Sequence, residues 1–287
     1  MKVCLACEER FASEDWRCPA CGSTPAGNGF LRFEAVGTGT GDAFPEASFD
    51  RLPEQEEKSF WFQGRNELIV WALHSYFPGA KTFLEVGCGT GVVLAALHTR
   101  RPDLSLVGGE PFAAGVAVAQ SRVPDVQLYQ LDGRRLPFEE EFDVVGAFDV
   151  LEHVDDDVLV LAQMHQATRP GGGIIVSVPQ HPWLWSAVDE FSRHRRRYRA
   201  DELVRRVEST GFRVVRRTSF VSVLLPVVAF SRWRDRGKTN YEPSTEYRLP
   251  RLAERAFGAA LTAERRLIEA GLSFPAGSSL LVVAQRR

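Results

Sequence analysis

The sequence predicts an α/β fold: a doubly wound, mostly parallel sheet preceded by a small cysteine module. Three observations predict it. Short apolar runs alternate with amphipathic stretches of helical length from residue 82 onward. One of these runs ends in a glycine-rich turn, Gly87-Cys88-Gly89-Thr90-Gly91. Two Cys-x-x-Cys pairs lie within the first 21 residues.

The chain has 287 residues, enough for one large domain and an appendage. Hydrophobic residues make up 44% and charged residues 25%, as in ordinary soluble globular proteins. A formal net charge of -2 gives no general reason to expect nucleic acid or an anionic membrane. The N-terminus runs into Cys4 and Cys7 without a charged-then-apolar leader. The longest apolar run, Phe220 to Phe230, is too short to span a bilayer and contains Pro226. A cytoplasmic protein with no transmembrane segment is therefore expected. A buried strand followed by a helix accounts for the 220–230 run better than a pocket wall or a membrane contact. Arg232, Arg234 and Arg236 follow it.

Residues 1–24 form the cysteine module, and residues 25–53, with Gly37-Thr38-Gly39-Thr40-Gly41, read as a linker or arm. The main domain covers 54–287. It opens on a helix whose apolar positions are Phe60, Leu68, Ile69, Trp71, Ala72 and Phe77. Strands are predicted at Thr82–Val86, Leu104–Val107, Val126–Leu131, Phe142–Phe148 and Gly173–Val178, with two more at 212–221 and 279–286. Helices fill 90–100, 112–122 and 155–168, and a mostly helical insertion over about 223–272 separates the last two strands.

Cys4-x2-Cys7 and Cys18-x2-Cys21 are ten residues apart. Such clustering in a reducing compartment favours metal over disulfide. Each pair forms a knuckle, and four thiolates make a closed tetrahedral site for structural zinc, with iron as the competitor. Phe11 and Trp16 supply the little core such a ribbon has, and metal binding supplies most of its folding free energy. Lys2, Arg10 and Arg17 are outnumbered by Glu8, Glu9, Glu14 and Asp15, a poor balance for phosphate. A structural or protein-docking role is expected of the ribbon. Cys88 has no partner in sequence and reads as a small residue filling space.

In the glycine turn, Gly87 and Gly89 can take positive φ and let a ligand approach the backbone. The N–H groups at the start of the next helix suit an anion. Val92 stands where a dinucleotide fingerprint requires Gly or Ala, which disfavours a nicotinamide enzyme. Glu85, just before the turn, would repel a pyrophosphate but can bind an ammonium or hold the loop.

The stretch Glu85-Val86-Gly87-Cys88-Gly89-Thr90-Gly91 resembles motif I of the class I S-adenosylmethionine (SAM)-dependent methyltransferases. The resemblance extends over about residues 55–287 and implies their Rossmann-like, seven-stranded fold with SAM as cofactor. It implies that the loop residues Glu85, Gly87, Cys88, Gly89, Thr90 and Gly91 line the SAM site. It implies that Glu110, leading into Pro111 and Phe112, grips both ribose hydroxyls; many members carry Asp there. Asp132 and Gly133 would meet the adenine amine, with Leu136-Pro137-Phe138 following. Phe148 and Asp149 would close the fourth strand within Phe142–Val154. Arg169-Pro170-Gly171-Gly172-Gly173 matches the family's turn into strand five. Trp61, Phe62 and Arg65 either close over the methionine end of SAM or form a core stripe.

Methyl transfer from a sulfonium is an in-line displacement that needs alignment and exclusion of water. An oxygen acceptor of high pKa also needs a base. His153 and His181 are the catalytic candidates, each with a plain structural reading as a hydrogen-bonder. Trp183 and Trp185 form either a wall for the acceptor or packing residues. His194, Arg195, Arg196 and Tyr198 either capture a phosphate or carboxylate or pair with Asp201 and Glu202. The leading expectation is a methyltransferase acting on a small molecule, anionic or hydroxylated. The alternatives are an RNA or protein methyltransferase guided by the ribbon, and a non-catalytic SAM-binding module.

Overall fold

In the computed structural model, which describes residues 1–27, 30–33, 48–49, 52–234 and 250–287, the strands lie in two sheets. Strands β1 (Lys2–Val3) and β2 (Arg10–Phe11) pair antiparallel in the cysteine module. The second sheet holds β3 (Leu31–Arg32), β4 (Thr82–Val86), β5 (Ser105–Glu110), β6 (Gln127–Gln130), β7 (Phe142–Phe148), β8 (Thr168–Pro179), β9 (Phe212–Phe220) and β10 (Ser279–Arg286). Their order is β3-β6-β5-β4-β7-β8-β10-β9. All pairings are parallel except those of β10, which runs antiparallel between β8 and β9.

The sheet thus has eight strands where seven were expected. The additional one, β3, lies in the segment read as a linker. Two residues carry no periodicity, so nothing local announces it. It covers what would otherwise be the open edge of β6. Leu31 pairs with Tyr129 and Arg32 with Gln130, and the Phe33 amide donates to the Gln130 carbonyl at 2.9 Å.

The helices are α1 (Leu52–Lys58), α2 (Phe60–Tyr76), α3 (Val92–Arg100), α4 (Ala113–Arg122), α5 (Asp157–Ala167), α6 (Ala187–Phe191), α7 (Ala200–Ser209), α8 (Leu225–Arg234) and α9 (Arg251–Glu269). Ser59 caps α2 by accepting from the Trp61 amide. Leu68, Ile69, Ala72 and Leu73 recur at helical spacing and are buried. They join Phe83, Leu94, Leu97 and Ile175 in the core on one sheet face. Leu161, Val176, Leu203 and Val282 belong to the core on the other. Each such Leu, Ile, Val or Phe side chain stabilises the fold by about 1.5–3 kcal/mol.

The apolar run at 220–230 is a buried strand end followed by a helix, as expected, but the helix itself is largely uncovered. Phe220 ends β9 and is buried, but α8 buries no residue, and Val227, Phe230 and Trp233 are exposed. Part of the predicted helical insertion, 235–249, and the Gly37–Gly41 run lie outside the described residues. No helix among the described residues is long and apolar enough to cross a membrane.

The cysteine module is fastened to the chain's own sheet. Val3 donates its amide to the Pro137 carbonyl at 2.9 Å, and the Arg135 guanidinium donates to the Leu5 carbonyl. Trp16 stands edge-on to Phe33, Tyr129 and Phe138, with centroids 4.7, 5.6 and 5.7 Å away. Lys2 covers the indole at 4.8 Å. One tryptophan therefore joins the module, β6 and the loop after β6. Trp16→Ala is expected to lower stability by about 2 kcal/mol, below the range for a fully buried tryptophan. Denaturant unfolding of the metal-loaded protein checks this.

Candidate functional site

Parallel α/β sheets bind ligands outside the C-terminal ends of their strands. Here β4, β5 and β7 end on one edge, and the glycine turn leaves β4 toward α3. The amides of Gly87 and Cys88 both donate to the Gly109 carbonyl, at 2.7 and 3.0 Å, and lock the turn to β5. Gly87 has φ +69°, and a Cβ there would meet Val150 Cγ2 at 2.5 Å. Gly89 has φ +54°, but nothing lies within 4 Å of its Cβ position. The turn is closed against protein at Gly87 and open at Gly89. Cys88 is buried, and desolvation pushes its thiol well above the usual range. It is a packing residue, without thiolate chemistry.

Three carboxylates surround this turn. Glu110 accepts from the Gly89 amide at 2.9 Å and the Phe112 amide at 3.1 Å. Its burial raises its pKa to about 7, against those two hydrogen bonds. Glu85 is also buried, and its Oε2 finds no hydrogen-bond partner among the described residues. Desolvation raises its pKa well above the ordinary value; Arg65 pulls it down, while Glu110 and Glu56 push it up. Glu56 was not anticipated as a site residue. It accepts from Thr90 Oγ1 at 2.6 Å and from Arg122 at 2.7 Å, and Arg122 also reaches the Thr90 carbonyl at 3.1 Å. This trio clamps the far side of the turn.

Arg65, on α2, is buried and donates to Asp149 Oδ2 at 2.6 Å. Its guanidinium lies 4.9 Å from the Trp61 ring and 5.2 Å from the Phe62 ring. Asp149 follows β7 with φ +56° and is held by its amide to the Ser177 carbonyl at 2.9 Å. Phe148, just before it, is buried in the core.

Farther along the edge, Pro111 accepts from the Gln130 side chain at 2.9 Å. Phe112 N-caps α4 and tilts against Phe49 at 6.0 Å. Asp132 is engaged by Arg134: Nε donates to Oδ1 at 3.0 Å and NH2 to Oδ2 at 2.6 Å. An adenine amine would share this carboxylate with an arginine, which the sequence reading did not foresee. Gly133 lies against Val86, whose Cγ1 is 2.7 Å from a Cβ built there.

The donors and acceptors fit the cofactor that the resemblance implies. An orphaned buried carboxylate oxygen suits an ammonium. A carboxylate with spare lone pairs at a strand end suits a diol. The exposed turn at Gly89 and the α3 N-terminus suit a carboxylate.

The acceptor-side candidates are engaged by acids of their own chain. Tyr198 is fully buried, and its hydroxyl donates to Asp157 at 2.5 Å, which ties the loop to α5. Arg196 pairs with the same buried Asp157 at 3.3 Å, and Arg195 lies 3.6 Å from Asp155. Arg197 and His194 both bond Asp189, at 2.7 and 2.8 Å. The basic run is matched by acids on the loop after β7 and on α5 and α6. Asp201 and Glu202 instead pair with Arg217 and Arg206.

His153 and His194 meet edge-on with centroids 4.7 Å apart. Burial, then His194, pushes the His153 pKa down to about 3, so it stays neutral and is a weak proton acceptor. His181 has φ +63°, and its Nε2 is buried without a hydrogen-bond partner among the described residues. Burial, then Arg197 and Arg199, lowers its pKa. Trp183 lies 5.6 Å from the His181 ring and is exposed, while Trp185 is half-buried.

In the N-terminal module, Cys4 and Cys21 sulfurs are 3.6 Å apart, as are those of Cys7 and Cys18. All four sulfurs lie within 4.8 Å of one another and none forms a disulfide. A tetrahedron with bonds of ~2.3 Å has edges of ~3.8 Å, so the cluster is consistent with a zinc site.

Residues 54–217, more than half of the chain, match the family model described as a methyltransferase domain. A protein of Mycolicibacterium smegmatis named as an S-adenosylmethionine-dependent methyltransferase is 31% identical over 179 residues, covering 60% of this chain and 66% of that protein. A ubiquinone biosynthesis O-methyltransferase of Pseudomonas paraeruginosa is 34% identical over 110 residues, covering 34% of this chain and 44% of its own. The chain thus spans less than two thirds of the length of these relatives. Phosphoethanolamine N-methyltransferase 2 of Haemonchus contortus, solved with S-adenosyl-L-methionine, superposes with a TM-score of 0.52 at 16% identity, over 77% of this chain and 52% of that one. Likeness at that identity shows the shared fold. With the match over 54–217 resting on the same strands that carry the glycine turn and its carboxylates, the chain belongs to the SAM-dependent methyltransferase family.

Proposed function

We propose that this protein transfers the methyl group of SAM to a hydroxyl of a small-molecule acceptor. The observation that carries the reading is the pair of buried carboxylates, Glu85 and Glu110, on either side of a glycine turn with one open face. When bound, SAM supplies an electrophilic methyl group on a sulfonium. Glu110 accepts from the ribose hydroxyls. Glu85 and Arg65 hold the amino-acid end, and Asp132 and Gly133 border the adenine. The residues of the chain bind, orient and dry the reacting groups, which is most of what an in-line displacement requires.

A hydroxylated acceptor is favoured over an anionic one because Arg195 and Arg196 already have acidic neighbours. Ubiquinone biosynthesis O-methyltransferases among the relatives support the same class. His181 is the proposed base: its Nε2 has no hydrogen-bond partner among the described residues, and its ring is in the neutral form that can take a proton, less deeply buried than that of His153. The four cysteines are proposed to hold a closed, structural zinc. Since their module grips residues 135–138, it also steadies the loop that begins at Asp132.

Calorimetric titration with SAM is expected to give micromolar binding by the wild type and at least tenfold weaker binding by Glu110→Gln. No binding by folded wild type would overturn the reading. The carboxyl of Glu110 titrates near pH 7 in the free protein, and only its ionised form accepts both ribose hydroxyls. SAM affinity is therefore expected to rise between about pH 6 and 8, with proton release into the buffer, and to be flat for Glu110→Gln. Against a panel of phenols and alcohols, His181→Ala is expected to lower kcat by about 10²–10⁴-fold with little change in KM. Turnover of amines alone would sink the hydroxyl assignment. The double variant Arg195→Ala, Arg196→Ala is expected to leave acceptor KM unchanged while lowering stability by about 1–3 kcal/mol, because Arg196 pairs with the buried Asp157.

A further inference from the structure

A second group of ligand-type side chains lies outside the residues assigned to SAM. Glu152, His153 and His194 each present one ligand atom, and these atoms all lie within 4.8 Å of one another. Glu152 is fully buried, and neither of its carboxylate oxygens has a hydrogen-bond partner among the described residues. A buried carboxylate without hydrogen bonds is among the costliest arrangements a fold can hold. Its neighbours do not remove the difficulty: Asp149 and Asp189 add negative potential, and Arg197 offsets part of it. The group lacks positive charge at a defined point.

The fold brings these residues together deliberately. Glu152 and His153 sit in a short 3₁₀ turn, Leu151–His153, directly after β7. The Arg195 amide donates to the Glu152 carbonyl at 2.7 Å, which ties the loop bearing His194 onto that turn. His194 Nδ1 lies 2.8 Å from Asp189 Oδ1. Asp189 is itself buried and fixed by Arg197 at 2.7 Å and by the Ser186 amide at 2.9 Å. With Nδ1 donating to Asp189, the His194 lone pair is on Nε2. A histidine oriented by a carboxylate behind it is the usual support for a metal ligand.

We propose that Glu152, His153 and His194 form a binding site for a divalent transition-metal ion, with Asp189 as a positioning residue. Two imidazoles and one carboxylate favour zinc, manganese or iron over magnesium or calcium, and three protein ligands leave coordination positions open. The site stands at the C-terminal edge of β7, next to Asp149. An ion there can bind and orient an acceptor hydroxyl and ease loss of its proton. That role rests on the hydroxyl-acceptor reading; ion binding does not.

The test uses the full chain loaded with one equivalent of zinc, which the four thiolates take first. Titration with Mn²⁺ is followed by loss of the aqueous Mn²⁺ electron paramagnetic resonance signal. One Mn²⁺ per chain is expected, with couplings to two histidine nitrogens in pulsed spectra. Glu152→Gln and His194→Ala are expected to weaken binding at least tenfold, and Asp189→Asn by about 10–100-fold. Circular dichroism checks that each variant folds. Should a variant fail to fold, the histidine couplings of the wild type decide alone. Wild type that binds no Mn²⁺ and takes up only one Zn²⁺ overturns the proposal. So do folded variants that bind like wild type, and bound Mn²⁺ without histidine couplings. SAM binding, measured on the same samples, separates failure of this site from failure of the methyltransferase reading.

Discussion

Desolvated carboxylate charge at the C-terminal edge of the sheet is the constraint around which this molecule is arranged. Glu85 and Glu110 lie on the neighbouring strands β4 and β5, with Gly108 opposite Glu85 and Glu110 two residues beyond it, both buried, at positions where apolar residues would stabilise the fold more cheaply. Their surroundings make the arrangement tolerable. The glycine turn aims the Gly89 amide at Glu110, and Arg65 sits close enough to offset the charge of Glu85. Glu56, Thr90 and Arg122 hold the turn from behind. What is left over, an oxygen with no partner among the described residues and an open glycine face, is what a ligand with an ammonium and a diol would complete.

The same logic runs through the loop after β8. Its arginines look from composition like an anion trap, yet they answer to Asp155, Asp157 and Asp189. Asp157 alone receives the Tyr198 hydroxyl and the Arg196 and Arg206 guanidinium groups. A buried acid shared by several donors fixes a loop more firmly than exposed pairs do, because desolvation strengthens each contact. The reward is orientation: His194 is turned toward Glu152 and His153, and Gln180 is bridged to Tyr198.

Much of this was legible in the sequence where signal and structure are both local. The strand running into Gly87-Cys88-Gly89, the acid ending β5 and the alternation of elements all depend on residues close in the chain. Seven strands could be placed to within a few residues for that reason. Features that depend on distant partners were not legible. Two-residue β3 is defined only by its pairing with β6. Glu56 meets Thr90 and Arg122 across 34 and 66 positions, and Asp157 meets Tyr198 across 41. Arg195 and Arg196 were read against the acids nearest in sequence, Asp201 and Glu202, whereas burial chose acids on other elements. The exposed apolar face of α8 was equally hidden, since hydropathy alone does not say whether a neighbour covers a helix.

The placement of β10 bears on how the molecule comes into being. It is the last strand in the described chain, yet it lies between β8 and β9 and is the one antiparallel member of the sheet. A chain emerging from the ribosome would therefore have β8 and β9 before the strand that joins them. Until residues 279–286 arrive, the edges of β8 and β9 that pair with β10 lie open. Folding of this half is thus bound to wait for the whole length of the domain, a non-local closure of the slow kind. The strand pairings around the glycine turn, from β4 to β7, involve only residues made before then. The strands bearing the glycine turn and the sheet edge beyond β8 would be finished at different times during synthesis.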